Sequence, residues 1–361
     1  MIESKDIQNI LSKYDQSKLA VCTLGSHSSL NIFKGAKEEG LKTVCICREK
    51  DAIMYQKYPV VDKLIIVNDF AELLNEKLQE QLRNLNAVLI PHGSFTAYLS
   101  TEQLTNNLKV PIMGNRKLLH WETNRKTQEE WLRQAGLRLP ATFKSPDDID
   151  RLVIAKLQGA KGGKGYFLTN TPKSFYKKAT EMLNRGLITK QDIETVHLQE
   201  YILGVNVYPS YFSSILNNDV ELLAMDRRYE TTTDSIGKIP ATEQLEINIT
   251  PTYTVVGNFP IVLRESLLPE IIRMGENVHK KAAELAPPGI TGPFCLETII
   301  TDDLKIYTFE ISARIVAGTN VGIGTSPYAY LRYGENMYMG KRIALELGNA
   351  IKQKQLQTIV T

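Results

Sequence analysis

Short apolar runs alternate with longer stretches in which apolar positions recur every three or four residues, and this pattern fills the first third of the chain. "KLAVCTL", "KTVCIC", "KLIIV" and "AVLIPHG" read as strands, while "SSLNIFKGAKEEG", closed by Gly40, and "DFAELLNEKLQEQLRNLN" read as helices. Apolar strands separated by helices predict a parallel, doubly wound sheet, whose ligands sit beyond the carboxyl ends of the strands. Near residue 117 the pattern becomes a charged helical stretch, "KLLHWETNRKTQEEWLRQAGLRLP", ending at Gly136 and Pro140. Residues 150 to 205 then read strand, glycine-rich loop, strand, helix ("SFYKKATEMLNRGL") and strand ("TVHLQEYILG"), a small α+β unit. The remainder is mostly strands of alternating character, with helices around "PEIIRMGENVHKKAAELA" and "GKRIALELGNAIKQ". The expected fold is mixed α/β and α+β in three parts: an N-terminal doubly wound parallel-sheet domain (1–120), a linker helix with a small lid domain (121–205), and an antiparallel-rich C-terminal domain (206–361).

Composition narrows what such a chain does. Its 361 residues carry 43 Lys plus Arg and 40 Asp plus Glu, a net charge of only +3. Bulk charge therefore gives nucleic-acid binding no support, whereas anionic small molecules need only a local cluster. The N-terminal "MIESKDIQNILSKYDQ" has acids where a signal peptide requires a basic segment and an apolar core, and no apolar run approaches the roughly 18 residues of a membrane span. The expectation is a cytoplasmic protein with neither membrane nor nucleic-acid partner. Cys45 and Cys47 share one face of a strand, but a single CxC pair is a weak metal signal, and with Cys22 and Cys295 they read as buried thiols.

Two stretches carry candidate chemistry. "LQGAKGGKGYFL" fits neither a P-loop nor a dinucleotide fingerprint, because Lys164 and Tyr166 stand where a P-loop needs Gly and Ser/Thr, and Leu168 replaces the last glycine of the fingerprint. Strands flank it on both sides, so it reads as a hairpin lid able to close over a triphosphate with its N–H groups. Lys156, ending the first strand, supplies charge to the phosphates. The bland alternative is a mobile surface turn. The second stretch, "GPFCLETIITDDLKIYTFEISARIVAGTN", reads as a hairpin turning at Thr301 to Asp303, with Glu297 and Glu310 embedded among apolar neighbours. Carboxylates so placed are costly to bury unless a cation pairs with them, and both can reach Mg²⁺ ions that also hold phosphate oxygens. Arg314 follows at the same end and can clamp a transferring phosphoryl group. The alternative is that both acids face solvent from a polar strand face.

The lid with its lysine, the strand "HLQEYILG" ahead of an adenine hinge, and two glutamates on late strands, in this order, resemble the ATP-grasp superfamily. More narrowly, "TLGSHSSLNIFKGAKEEG", "PHGSF", "GNRKLLHWETNR", "GAKGGKGYF", "MDRRYE", "GNFPIVLRESLLP", "GPFCLE" and "EISARIVAGTN" resemble the archaeal-type formate-dependent synthetases of purine biosynthesis over nearly the whole chain. That resemblance implies a carbon–nitrogen ligase that formylates 5-aminoimidazole-4-carboxamide ribonucleotide (AICAR) to the formamido product (FAICAR). It would use formate and ATP, pass through formylphosphate, and release ADP and phosphate. It implies Mg²⁺ or Mn²⁺ as the metal and a homo-oligomeric, hexameric assembly. Carried over by position, its ribonucleotide contacts fall on His27, Ser94 and Asn258. Its ATP contacts fall on Lys156, Gly159, Lys161, Gly162, Gly163, Lys164, Gly165, the hinge Glu200, Tyr201 and Ile202, and Glu230. Its metal ligands fall on Glu297 and Glu310, with Arg314 and His27 as the candidate catalytic residues. Independently, Gly25 to Ser28 lies between a strand and its helix, where free N–H groups favour a phosphate.

Two positions depart from the wider superfamily. Ser312 stands where many members place an asparagine metal ligand. Gly204, Val205 and Asn206 follow the hinge where an acid commonly meets the nucleotide ribose. Two other readings stay open: an ATP-grasp ligase for another small carboxylate or amine, and a non-catalytic nucleotide-binding subunit.

Overall fold

A computed structural model describes residues 2–157, 166–246, 252 and 254–361. The first third forms the expected parallel sheet from β1 (Ala20–Leu24), β2 (Lys42–Arg48), β3 (Lys63–Val67) and β4 (Ala87–Leu89), in the order β3-β2-β1-β4. All five residues of β1 are buried, as a strand covered on both faces requires. The winding reverses between β1 and β4. The loops leaving these two neighbours therefore open onto one crevice beyond their carboxyl ends.

Two helices are shorter than the periodicity predicts. The stretch expected as a long helix from Asp69 is a 3₁₀ turn (Phe70–Leu74) followed by a helix (Glu76–Asn84), with Asn75 extended between them. The charged stretch after residue 115 is likewise two helices, Arg116–Thr123 and Arg125–Gln134. There Asn124 caps the second helix by accepting from the N–H groups of Lys126 and Thr127. Asn124 thus competes for neighbouring backbone groups and starts a helix that the apolar pattern alone would run into the one before it, whereas the Asn75 side chain makes no capping bond.

A small antiparallel sheet of β5 (Thr142–Phe143), β6 (Val153–Lys156), β7 (Tyr166–Thr169) and β8 (His197–Glu200), ordered β5-β8-β6-β7, has its own core around Phe175 and Leu198. A larger antiparallel sheet contains β9 (Val205–Ser214), β10 (Asp219–Glu230), β11 (Val255–Pro260), β12 (Gly292–Ile300) and β13 (Ile306–Ser312), ordered β11-β10-β9-β12-β13.

The last long helix, Met339–Lys352, crosses the helix Ser29–Glu38 and welds the parallel sheet to the large antiparallel one. Val21 and Val88 share a core with Phe212, Ile343 and Leu347. The crossing is backbone to backbone. A Cβ on Gly340 would lie 1.9 Å from the Asn31 carbonyl oxygen, and one on Gly35 2.0 Å from the Gly340 carbonyl carbon. Asn31 locks it, donating to the Thr319 carbonyl (2.8 Å) and accepting from the Gly340 N–H (2.6 Å). All four cysteines are free and buried. No described helix is long and apolar enough to cross a membrane.

Candidate active site

The β12–β13 hairpin places Glu297 directly opposite Glu310. Directly opposed residues of an antiparallel pair share a face, so both carboxylates point the same way. Glu297 is buried, and Arg228 of β10 binds both its oxygens, Nη1 to Oε2 at 2.9 Å and Nη2 to Oε1 at 2.6 Å. The Arg228 guanidinium also lies 3.9 Å from the centre of the Tyr208 ring. Glu310 lines the cavity beside Lys156 and is exposed to solvent through it. Desolvation and then the Glu297 charge push the Glu310 carboxyl up, while desolvation pulls the Lys156 ammonium down against the pull of Glu310. Lys156 donates to Gln199 Oε1 at 2.8 Å, which aims its ammonium across the cavity.

Two adjacent carboxylates in a poorly solvated place favour a cation. Mg²⁺ characteristically takes one or two carboxylates and completes its shell with water and substrate phosphates. The donor set of Glu297 and Glu310 fits such an ion. Among the described residues no cluster of three or more acidic, histidine or cysteine side chains forms a self-sufficient metal cage.

The cavity, about 280 Å³, runs from these acids to the hinge. Its apolar walls include Ile154, Ile299 and Phe309, and Tyr201 and Ile202 line its mouth, a slot suited to a flat base with phosphates directed at Lys156. Glu230 lines the same cavity; desolvation and then Asp234 push its carboxyl up to about 7. Glu200 also borders the cavity, but its carboxylate is engaged by the Ala141 N–H and by Arg151. The lid positions Gly159, Lys161, Gly162, Gly163, Lys164 and Gly165 lie outside the described residues.

The ribonucleotide candidates gather around one segment, Arg314 to Thr319. His27 follows β1 with a left-handed backbone (φ 39°), and the adjoining Ser28 hydroxyl donates to the Val316 carbonyl while accepting from Thr319 Oγ1. Ser94 follows β4 in the first turn of the helix Gly93–Tyr98, whose N-cap His92 pairs with the same segment at Ile315. Its hydroxyl is fully buried without a hydrogen-bond partner among the described residues. The Arg314 guanidinium lies against Gly93, next to Ser94. Asn258 touches the segment at Gly318, where a Cβ would come 2.3 Å from Asn258 Nδ2, and donates to Asp226 Oδ2 at 2.5 Å. Desolvation and then Arg314 lower the His27 imidazole. His92 faces His27 with ring centres 5.8 Å apart. Complete burial brings it to about 3, so it is neutral, with Nε2–H donating to the Leu24 carbonyl.

Sequence reasoning missed Arg228, Asp226, His92 and Glu122. The first two had a readable signal: in "MDRRYE" they alternate with Glu230, so all three share a face of β10. His92 stood inside the quoted "PHGSF". Glu122, on a charged helix, had none, since nothing in its neighbours says it is buried.

Residues 174–361 match a family model described as "Domain of unknown function (DUF1297)", and residues 21–143 match one described as "Protein of unknown function (DUF1246)". The 5-formaminoimidazole-4-carboxamide-1-(beta)-D-ribofuranosyl 5'-monophosphate synthetase of Archaeoglobus fulgidus is 51% identical over 354 residues, 98% of each chain. Among solved structures, an IMP biosynthesis protein PurP from Thermococcus kodakaraensis is 30% identical with a TM-score of 0.72, covering 94% of this chain and 100% of that one. N5-carboxyaminoimidazole synthetase from Staphylococcus aureus, complexed with ADP, is 18% identical with a TM-score of 0.58, covering 84% of this chain and 71% of its own. The last similarity speaks for the fold alone, and with the PurP structure it makes the fold ATP-grasp.

Proposed function

Because the chain belongs to the family of 5-formaminoimidazole-4-carboxamide-1-(beta)-D-ribofuranosyl 5'-monophosphate synthetases, we propose how its residues divide the work of formylating AICAR. The protein is an ATP-dependent ligase of IMP biosynthesis that converts AICAR to FAICAR with formate. The observation that most supports the division is the facing pair Glu297 and Glu310 beside Lys156, at the end of a base-sized cavity that continues to the hinge.

Formate is a poor acyl donor because oxide would have to leave, so ATP must activate it first. A formate oxygen attacks the γ-phosphorus, the bond to the ADP oxygen breaks, and formylphosphate forms. Lys156 holds the phosphates, and Tyr201 and Ile202 hold the base, which keeps attacking and leaving oxygens in line. Glu297 and Glu310 would hold Mg²⁺ or Mn²⁺, which when bound supplies charge neutralisation for the transferring phosphoryl group. Arg314 faces the same oxyanions from the ribonucleotide side.

The exocyclic amine of AICAR, positioned by Ser94 and Asn258, then attacks the formyl carbon. Phosphate leaves with the mixed-anhydride oxygen, and the amine loses one proton. His27, whose imidazole is kept neutral by its surroundings, is placed to accept that proton. In this reading the protein works in the cytoplasm as a homo-oligomer, a hexamer, which light scattering checks directly.

The test is ADP release by the purified chain with AICAR and ATP, with and without formate. Formate-dependent release with FAICAR as product is expected. Release at the same rate without formate overturns the assignment of these residues to formyl transfer.

A further inference from the structure

Glu122 sits on the helix Arg116–Thr123, whose Leu119 joins the core of the parallel sheet and whose Leu118 joins that of the large antiparallel sheet, and is 7% exposed. A carboxylate so deeply placed is costly unless a cation answers it. Only one cation does so among the described residues: Arg314, with Nε 2.9 Å from Glu122 Oε1. The second oxygen, Oε2, accepts from the Ala313 N–H at 2.7 Å, so both oxygens grip the same two-residue stretch. Gln128, from the next helix, seals the arrangement by donating to the Glu122 carbonyl (2.7 Å) and to the Ile311 carbonyl (3.1 Å).

The consequence concerns the other edge of the arginine. A guanidinium is a rigid planar fork, and fixing its Nε side fixes where Nη1 and Nη2 point. Among the described residues neither of those two nitrogens makes a hydrogen bond, and the Nε contact with Glu122 is itself a close charge contact at 2.9 Å, not an aligned hydrogen bond. They lie 3.7 and 3.8 Å from where a Cβ on Gly93 would stand, beside the buried and unpartnered Ser94 hydroxyl. Arg314 is also near enough to His27, His92 and Glu310 to act on the protonation of each. Released from Glu122, its long side chain would have Glu310 as an alternative partner, and that carboxylate would then be withdrawn from the phosphate chemistry.

We propose that Glu122 is a positioning residue. It holds Arg314 by the Nε edge so that the Nη edge meets a small oxyanion of the reaction, the carboxylate of formate or the phosphate of the ribonucleotide. This rests on the reading of Arg314 given above. A merely structural Glu122 would stitch its helix to the end of β13 through the Ala313 N–H and do nothing through Arg314.

The test uses the full chain and steady-state kinetics with each substrate varied in turn. Glu122→Gln keeps an acceptor for the Ala313 N–H and removes the charge. It should raise KM for formate or for AICAR by about 10- to 100-fold, the weight of a charge-assisted hydrogen bond, and leave KM for ATP within about twofold. Which of the two KM values moves identifies the oxyanion. Glu122→Asp, charged but shorter, should recover about tenfold of the loss or more if the charge is what matters. In an Arg314→Gln background, Glu122→Gln should add less than about twofold, because residues acting through one another are not additive.

The proposal is overturned if Glu122→Gln shifts all three KM values together, if Glu122→Asp recovers nothing, or if the loss is the same in both backgrounds. Failure of the functional reading is separate: it would show as wild-type ADP release that ignores formate.

Discussion

Arg228 is the one cation among the described residues bonded to both oxygens of Glu297, and replacing it with methionine turns the acidic pair into a measurable stability defect. The side chains of Arg228 and Glu297 are 17% and 8% exposed, so solvent cannot replace the lost partner. Methionine still covers the Tyr208 ring, which confines the change largely to charge. Removing one member of a buried ion pair costs about 3–5 kcal/mol, because the other charge remains buried and unpaired. For a chain of this size each kcal/mol moves the unfolding midpoint by roughly 2 °C, which gives a loss of about 6–10 °C in chelator. Magnesium with ADP should then raise the midpoint of Arg228→Met more than that of the wild type, since a cation bound to the native state supplies what the arginine gave. Thermal unfolding followed by fluorescence, in chelator and with magnesium and ADP, reads both effects. A loss under about 2 °C in chelator, or equal gains with magnesium and ADP, would refute the idea that Arg228 holds a cation position for Glu297.

Gly340→Ala should destabilise by about 1–3 kcal/mol, because its Cβ would meet backbone at 1.9 Å and the two helices must separate. Gly348→Ala on the same helix, where a Cβ meets nothing within 4 Å, should instead stabilise by up to about 1 kcal/mol, and urea unfolding distinguishes the two. His92 titrates at about 3 in the folded protein against an ordinary 6.5, so the unfolded chain binds more protons between those values. Its contribution is present above pH 6.5 and is lost as pH falls toward 3, at up to about 1.4 kcal/mol per pH unit. His92→Gln should flatten urea-derived stability between pH 6.5 and 5, and an unchanged slope would clear His92 of that role.

How far the sequence reached can be seen residue by residue. The parallel sheet was legible because β1 is a short, mostly apolar run, and the acidic hairpin because its turn and its two glutamates are local features. Asn124 split one helical stretch because its side chain caps the helix that follows, a local contest that apolar periodicity does not weigh, while at Asn75 the break is an extended residue whose side chain caps nothing. The weld between the helices at Gly35 and Gly340 was hidden for a different reason: two glycines 305 positions apart carry no sign of facing each other. The pairing of Glu122 with Arg314 was hidden likewise, since a buried ion pair between distant segments looks in sequence like two unrelated charges.

Asp226, Arg228 and Glu230 explain why the two halves of the site keep a fixed relation. They occupy alternate positions of one strand and so stand about 7 Å apart in turn, roughly 13 Å from end to end. Glu230 borders the cavity that runs to the hinge, Arg228 holds Glu297, and Asp226 accepts from Asn258 beside Gly318. Burial raises the Asp226 carboxyl to about 6 even though the Asn258 hydrogen bond pulls it back, so the side chain is held where water would not leave it. β10 lies between β9 and β11, hydrogen-bonded on both sides, and cannot slide without turning these side chains to the opposite face. One strand therefore sets the distance between that cavity, the acidic pair and the Asn258 contact. Transfer through an activated intermediate depends on such spacing, because both reacting ends must already be in place when the intermediate forms.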